Sequence, residues 1–551
     1  MNPGQGSAPS PPARADSPGW GERLLWLGLV LAHLAPIWAF AYFPSQDGPS
    51  HLETVSLLFR LWSHEPGLAG QYFLLNPQPL PNLLTQGLLM GLMLLAPPLA
   101  AEKLLLSLML VSFALAARWT LGGLDPRGRF LSILALPFFY TWTLHMGFYN
   151  FVLSLSLFLW AWGYWLRRRE GFGPRQALVL GLLALALYFC HPVSLVLTGL
   201  AVGVPCLWQA LLERGLPLGS RLGRTLWPLV SFAPPALMLL YFVLSHGGAA
   251  PAEPPQAGYA LKSLLGLGAL VSYGREEFWL YGLLAAGLWG LAARAAWIRL
   301  VRGERRLLFG DGLALLGLLC IILAVAAPDN LSGGGYLTSR LCLYPYFVLL
   351  AWLALAEWPR GLRRSIQVGA MALSLSLLVL LSAKYAQLNT YLRDYTSASA
   401  HIGDQSTLLP LSLGRVQDVQ GRPLSLRVLP FQHAAGYIAA QRPVVDLGHY
   451  QGVVDHFPLV FRPGLHPYRH IGPLAGQAPT VDFATYPART GGRVDYVLLW
   501  GRAQDAPGQA RAGAITSQLE KNYDLAYTSP ATGLLRLYRR RGLPDPAGAR
   551  P

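Results

Sequence analysis

Runs of roughly twenty apolar residues recur along this chain, and nothing else in it constrains the fold so strongly. A bilayer core about 30 Å thick is crossed by a helix of about 20 residues. Only 13% of the 551 residues are charged and 53% are hydrophobic, against about 25% charged in soluble domains. The chain therefore reads as a multi-pass membrane protein. Its net charge of +16 needs no nucleic acid to explain it, because arginines gathered in short loops between apolar runs set orientation in a membrane. Cys190, Cys206, Cys320 and Cys342 lie in or beside apolar runs without metal-like spacing and read as small core residues.

Taken in order, residues 1–22 are rich in Pro, Ser and Gly and read as a disordered cytoplasmic N-terminus. Leu24 to Phe43 reads as an uncleaved first span. Arg14 and Arg23 place its start inside, so the loop at 44–80 emerges outside. Residues 48–63 have helical spacing, with Leu52, Val55, Leu58, Phe59 and Trp62 on one side, which predicts an amphipathic helix lying on the membrane. Apolar runs follow at 82–99, 103–121, 130–144 and 147–166. Arg167-Arg168-Arg169 should be inside, which requires an odd number of crossings. One of the four runs is therefore not a span, and 130–144 is the first suspect, being short and carrying Pro137.

Spans near 176–190, 193–211, 224–244, 277–298, 307–327, 341–358 and 365–386 then alternate cleanly. Arginine-bearing inner loops (Arg214, Arg221 and Arg224; Arg299, Arg302, Arg305 and Arg306; Arg360, Arg363 and Arg364) separate them in pairs. The total is about eleven spans, with the termini on opposite sides. Residues 23–388 form the helical membrane domain. Residues 389–551 change character, and Val428–Phe431, Pro443–Leu447, Asp495–Trp500 and Leu534–Tyr538 read as short strands of a small extracytoplasmic α/β domain. No Gly-Lys-Ser/Thr phosphate loop, His-Glu-x-x-His or Cys-x-x-Cys is present, which argues against an ATP-driven pump and a zinc protease.

Unusual polar residues collect on the predicted outer side. They are Asp47, His51 and Glu53 in the first loop; His145, Tyr149 and Asn150 in a turn; His191 and His246 at span ends; Asp329, Asn330, Tyr336 and Arg340 around Gly333-Gly334-Gly335; and His433, Asp446, His449, Asp455 and His456 in the outer domain. Ionisable groups at the membrane boundary are candidates for function. Each has a plainer reading. Asp47 precedes Gly48-Pro49-Ser50 and its carboxylate can cap the Ser50 N–H. His51 can be a hydrogen-bonded structural group, Glu53 an exposed surface acid, His145 and His191 satisfied helix-end groups. Arg340 can anchor a helix to headgroups, although an outer arginine runs against the inside bias, and guanidinium suits phosphate. The sequon Asn330-Leu331-Ser332 reads as chance.

This order of elements, with an acid in the first outer loop and an outer C-terminal domain, resembles the membrane-embedded GT-C glycosyltransferases, such as protein O-mannosyltransferases and the lipid A aminoarabinose transferase. The stretch Gln46-Asp47-Gly48-Pro49-Ser50-His51-Leu52 also looks like that of other bacterial multi-pass membrane proteins. The resemblance implies sugar transfer from a polyprenyl-phosphate carrier to an extracytoplasmic glycan, lipid or protein acceptor, in the cell inner membrane and with no nucleic acid. It makes Asp47, with His51 or Glu53 tuning it, the catalytic candidate, and Arg340 a phosphate grip, with His145, Tyr149, Asn150, His191 and Tyr336 lining the substrate site. The family's adjacent acidic pair is replaced here by Asp47 and Glu53, six residues apart. No cofactor is implied. A divalent metal stays open, since Asp47, His51 and Glu53 can join outer-domain histidines. Two other readings remain: a transporter or lipid flippase, and a membrane scaffold whose outer domain binds a ligand. The transferase reading requires Asp47 and Arg340 to share one cleft.

Overall fold

The computed structural model describes residues 20–544 other than 64–66, 214, 247–252, 304–306, 331–333, 414–416, 466, 468–478 and 507–508. The N-terminal tail with Arg14, the loop arginines Arg214, Arg305 and Arg306, Gly333, the Leu331-Ser332 part of the sequon and the His246 side chain therefore lie outside the described residues.

The chain opens with helix α1 (Trp20–Trp38), followed by α2 (Gly48–Trp62), α3 (Gly67–Tyr72) and strand β1 (Phe73–Leu75) in the first loop. The bundle continues through α4 (Leu84–Met93), α5 (Pro98–Leu124), a 3-10 segment (Pro126–Phe139), α6 (Trp142–His145), α7 (Tyr149–Arg168), α8 (Pro174–Cys190) and α9 (Pro192–Leu212). It is completed by α10 (Leu218–Val230), α11 (Ala233–His246), α12 (Ala257–Gly266), α13 (Glu276–Val301), α14 (Phe309–Ala326), α15 (Leu337–Leu341), α16 (Tyr344–Ala354) and α17 (Arg360–Thr396). Among the described residues, seven helical stretches are long and apolar enough to cross a membrane. The four cysteines are free and buried.

The runs at 82–99 and 130–144 differ in how far they carry the chain. The run at 82–99 contributes only the ten-residue α4, about 15 Å long and too short for the bilayer core. The suspected run at 130–144 carries it further. Its 14 residues are wound as a 3-10 helix, which at about 2.0 Å per residue reaches about 28 Å. It starts at Arg127, in one cleft with Arg360 and Arg363, and leads to Tyr140, whose carbonyl accepts from the Tyr281 hydroxyl near the far end of α13.

The first loop also departs from its prediction. Residues 48–62 are helical, but eleven of the fifteen, from Gly48 to Leu58, are buried, so α2 is not a one-sided helix resting on a membrane surface. Residues 389–551 cover it. Their sheet has the order β3-β2-β5-β7-β6, with β2 (Ser406–Ser412), β3 (Val444–Asp446), β5 (Tyr496–Trp500), β6 (Tyr523–Thr528) and β7 (Leu535–Arg540). β2 runs parallel to β3 and β5, and β7 antiparallel to β5 and β6. Val428–Phe431 is irregular chain running into a turn, not a strand, while β2 escaped the sequence reading. β1 pairs antiparallel with β4 (Leu459–Phe461), which knits the loop into the domain. Helix α18 (Ala435–Gln441) lies on α2 where Gly436 lacks a side chain; a Cβ there would sit 2.6 Å from the Pro49 carbonyl oxygen. Arg60 of α2 donates to the carbonyls of Ala439, Arg442 and Val444 at 2.7, 2.6 and 3.2 Å, a cationic cap on the α18 C-terminus.

Candidate active site

The Asp47 segment lies along the turn that follows α6. Gln46 and Asp47 donate their N–H groups to the carbonyls of His145 (2.9 Å) and Met146 (3.1 Å). Two glycines permit this approach. Gly147 has φ +83°, and a Cβ on it would stand 2.5 Å from the Gly48 nitrogen. A Cβ on Gly48 would strike Ser45 Oγ, Tyr149 Oη and Glu102 Oε1.

Asp47 precedes α2, yet its side chain makes no capping bond; the Ser50 N–H goes to the Asp47 backbone carbonyl at 3.0 Å. The carboxylate is left for other work. Oδ2 accepts from the Tyr450 hydroxyl at 3.2 Å and Oδ1 from Gln46 Nε2 at 3.3 Å. His433 Nε2 stands 3.7 Å from Oδ1 and its ring packs on Tyr450. Burial raises the Asp47 pKa to about 7, opposed by the bonds from Gln46 and Tyr450. Burial, with a smaller contribution from His449, lowers His433 to about 3. The imidazole is therefore neutral at physiological pH, and its approach to Asp47 is not an ion pair.

His51 is held on both ring nitrogens. Nε2 donates to the Gly147 carbonyl at 2.9 Å, and Nδ1 accepts from Gln86 (2.9 Å) and Gln451 (3.2 Å). Burial lowers it to about 4, and with both nitrogens engaged it buttresses the loop. Glu53 is fully buried, not the exposed surface acid of the plainer reading. Its Oε2 lies 2.9 Å from His449 Nδ1, and His449 Nε2 faces Thr54 Oγ1 at 3.2 Å. Burial, and then the charge of Glu53, push Asp446 well above the ordinary carboxylate range. The Asp47–His433 and Glu53–His449 contacts are thus two separate pairs. Among the described residues no group of three or more His, Cys, Asp or Glu is arranged to hold a metal.

Arg340 lies across Phe148 and Phe151, its Cζ 4.7 and 5.6 Å from the ring centroids. Its Nε is buried without a hydrogen-bond partner, and among the described residues no carboxylate pairs with it. Phe148 follows the turn that binds Asp47, so the Asp47 backbone and the Arg340 guanidinium both pack against residues 145–151. Tyr336 stands over Trp142 and Phe148 with centroids 5.1 and 6.0 Å away. Its phenol is raised by burial and by the Asp47 charge and lowered by Arg340, which puts it within the field of both.

The other expected lining residues are occupied. His145 bonds Ser272 Oγ (2.7 Å) and Tyr385 Oη (2.6 Å). Tyr149 donates to Glu102 Oε1 at 2.6 Å and faces Ser45 Oγ at 3.0 Å. Asn150 accepts from the Thr85 N–H and donates to the Asn82 carbonyl. His191 caps α9 by accepting from the Val193 N–H at 3.3 Å, its ring edge-on to Phe151. These four brace the turn and its neighbours, while Tyr336 faces outward. The sequence reading passed over Tyr450, Gln46, Gln86, Gln451 and Glu102. An acid in the first turns of a greasy helix was a signal for Glu102; the neutral amides and the tyrosine gave none.

Many apolar helices with an α/β domain over the first loop give the chain a GT-C-like fold, which it shares with a solved structure. Among solved structures, ArnT from Cupriavidus metallidurans bound to undecaprenyl phosphate is similar over 95% of this chain and 98% of its own, with a TM-score of 0.56 and 10% sequence identity. No protein-family profile matches the chain, and no curated protein does.

Proposed function

We propose that the chain is a GT-C glycosyltransferase that moves a sugar from a polyprenyl-phosphate carrier to an acceptor at the outer face of the membrane. The observation that carries this reading is the buried Asp47 carboxylate, spared from capping, whose backbone is bonded to the turn after α6 while Arg340, which has no carboxylate partner among the described residues, stacks on Phe148 just beyond that turn. The fold shared with an undecaprenyl-phosphate-bound structure supports it. The arginines at the far end of the bundle support reading that end as cytoplasmic, with the Asp47 end and residues 389–551 outside.

Asp47 takes the proton from the acceptor hydroxyl as that oxygen attacks the anomeric carbon. The bond from that carbon to the carrier phosphate breaks, and the phosphate leaves with the electron pair. Arg340 stabilises the charge that develops there. A base with a pKa near 7 suits this step, being ionised often enough while still basic. His433 and Tyr450 orient the carboxylate, and His51 holds the backbone beneath it.

The test is transfer from labelled lipid-linked sugar by Asp47→Asn. A loss of about 10²–10⁴-fold in rate is expected at normal protein level. Undiminished transfer would remove Asp47 from the chemistry. Label crossing vesicles with no covalent product would mark a transporter instead.

A further inference from the structure

A second charged cavity lies at the opposite end of the bundle from Asp47. Helix α13 separates the two. Its first turn is next to Tyr273, whose hydroxyl bonds the Pro44 carbonyl, and its 26 residues carry the chain about 39 Å to the cleft. The cleft has a volume of about 810 Å³ and lies among the end of α13, the start of α14, the end of α16 and the start of α17. Among the described residues, Arg127, Arg294, Arg299, Arg302, Arg360 and Arg363 line it, against a single lining carboxylate, Glu357.

Four of these arginines are tied to acids: Arg127 to Asp125 at 2.9 Å, Arg299 to Asp311 at 2.9 Å, Arg302 to Glu357 at 3.0 Å and Arg363 to Glu22 at 2.8 Å. Arg294 is different. Its Cζ lies 5.3 Å from the Trp358 ring centroid, and its Nη1 is buried with no hydrogen-bond partner among the described residues. Leaving a buried guanidinium N–H without an acceptor is costly, and an anion in the cleft would remove that cost. Immediately beside it, Trp297, Leu300, Val301 and Leu307 are exposed, an apolar flank at the end of a membrane-length helix.

A planar, aromatic-backed guanidinium suits phosphate oxygens, and basic pockets between helices at headgroup level suit anionic lipids. We propose that this cleft binds the phosphate of an anionic phospholipid, the headgroup facing Arg294 and the acyl chains lying along the exposed flank of α13. The site is independent of the transfer reaction.

The test uses the full-length protein in nanodiscs of phosphatidylcholine with and without phosphatidylglycerol, with retained lipid read by native mass spectrometry. Preferential retention of phosphatidylglycerol is expected. Arg294→Gln should weaken it about tenfold, the cost of one charge-assisted contact, at an unchanged unfolding midpoint in phosphatidylcholine alone. Arg294→Lys keeps the charge and should fall between the two, and it carries the test should the Gln variant fail to fold. Equal retention of the two lipids, or wild-type retention by the folded Arg294 variants, would overturn the proposal. So would saturation of the detergent-solubilised protein by inorganic phosphate as effectively as by the lipid, since the source would then be soluble.

Discussion

Asp47 shows how much one side chain depends on where its neighbours spend their hydrogen bonds. Because the Ser50 N–H is met by a backbone carbonyl, the carboxylate is not a cap, and burial sets its pKa near 7. Activity that needs the ionised form should rise with pH through about 7, and the limb should be absent from the residual activity of Asp47→Asn; a pH–rate profile checks this. Stability has the opposite sign. The folded pKa lies above the ordinary 3.8, so this contribution is present below about pH 4 and is lost as pH rises through about 7. The unfolding midpoint of Asp47→Asn relative to wild type should therefore improve across that window, by a few kcal/mol at most. Gly48→Ala should cost about 1–3 kcal/mol by overpacking, read as a lowered midpoint, because Ser45, Tyr149 and Glu102 already fill the space a methyl would need. Arg340→Gln should lower kcat by about 10²–10³-fold, read with the lipid-linked sugar at saturation, because the charge it meets develops in the transition state.

Between elements, the contact that matters for the site is α2 against α18. Arg60 meets three carbonyls at the α18 C-terminus, and His433, just before that helix, approaches Asp47. Arg60→Ala should loosen this docking by about 1–3 kcal/mol, detected as faster amide exchange across Ala435–Gln441 with the bundle unaffected. The helices of the bundle were largely legible as elements, because a span announces itself by length and apolarity. The 3-10 segment was not. A hydropathy run of that length reads as too short at the α-helical rise, and only the tighter winding lets Pro126–Phe139 reach as far as it does. The strands at β3, β5 and β7 showed as short apolar runs. β2 was missed because its LPLS stretch reads as a turn.

At the scale of the molecule, bundle and covering domain share their cores. One buried cluster joins α1, α5 and α17 to Leu408, Val428 and Leu537, and a second joins Leu57, Leu68 and Phe73 of the first loop to Val445 and Leu499 of the sheet. Helix α17 runs 37 residues without a break into the domain, where Asp394 accepts from Ser529 at 2.9 Å. Residues 389–551 expressed alone should show no cooperative thermal transition; a sharp one, with a dispersed NMR spectrum, would show an autonomous domain. What the sequence determined by itself was the medium and the parts, because the cost of an unpaired backbone or a charge in lipid forces long apolar helices and pushes ionisable groups to their ends. It also marked Asp47 and Arg340 one at a time. Only the tertiary structure decided that both pack against the segment 145–151, that Tyr450 and His433 reach Asp47 from some four hundred residues away in the chain, and that His51 is a brace. Those outcomes depend on which donors and acceptors meet across the fold, and side-chain geometry at that range leaves no periodic trace in the order of residues.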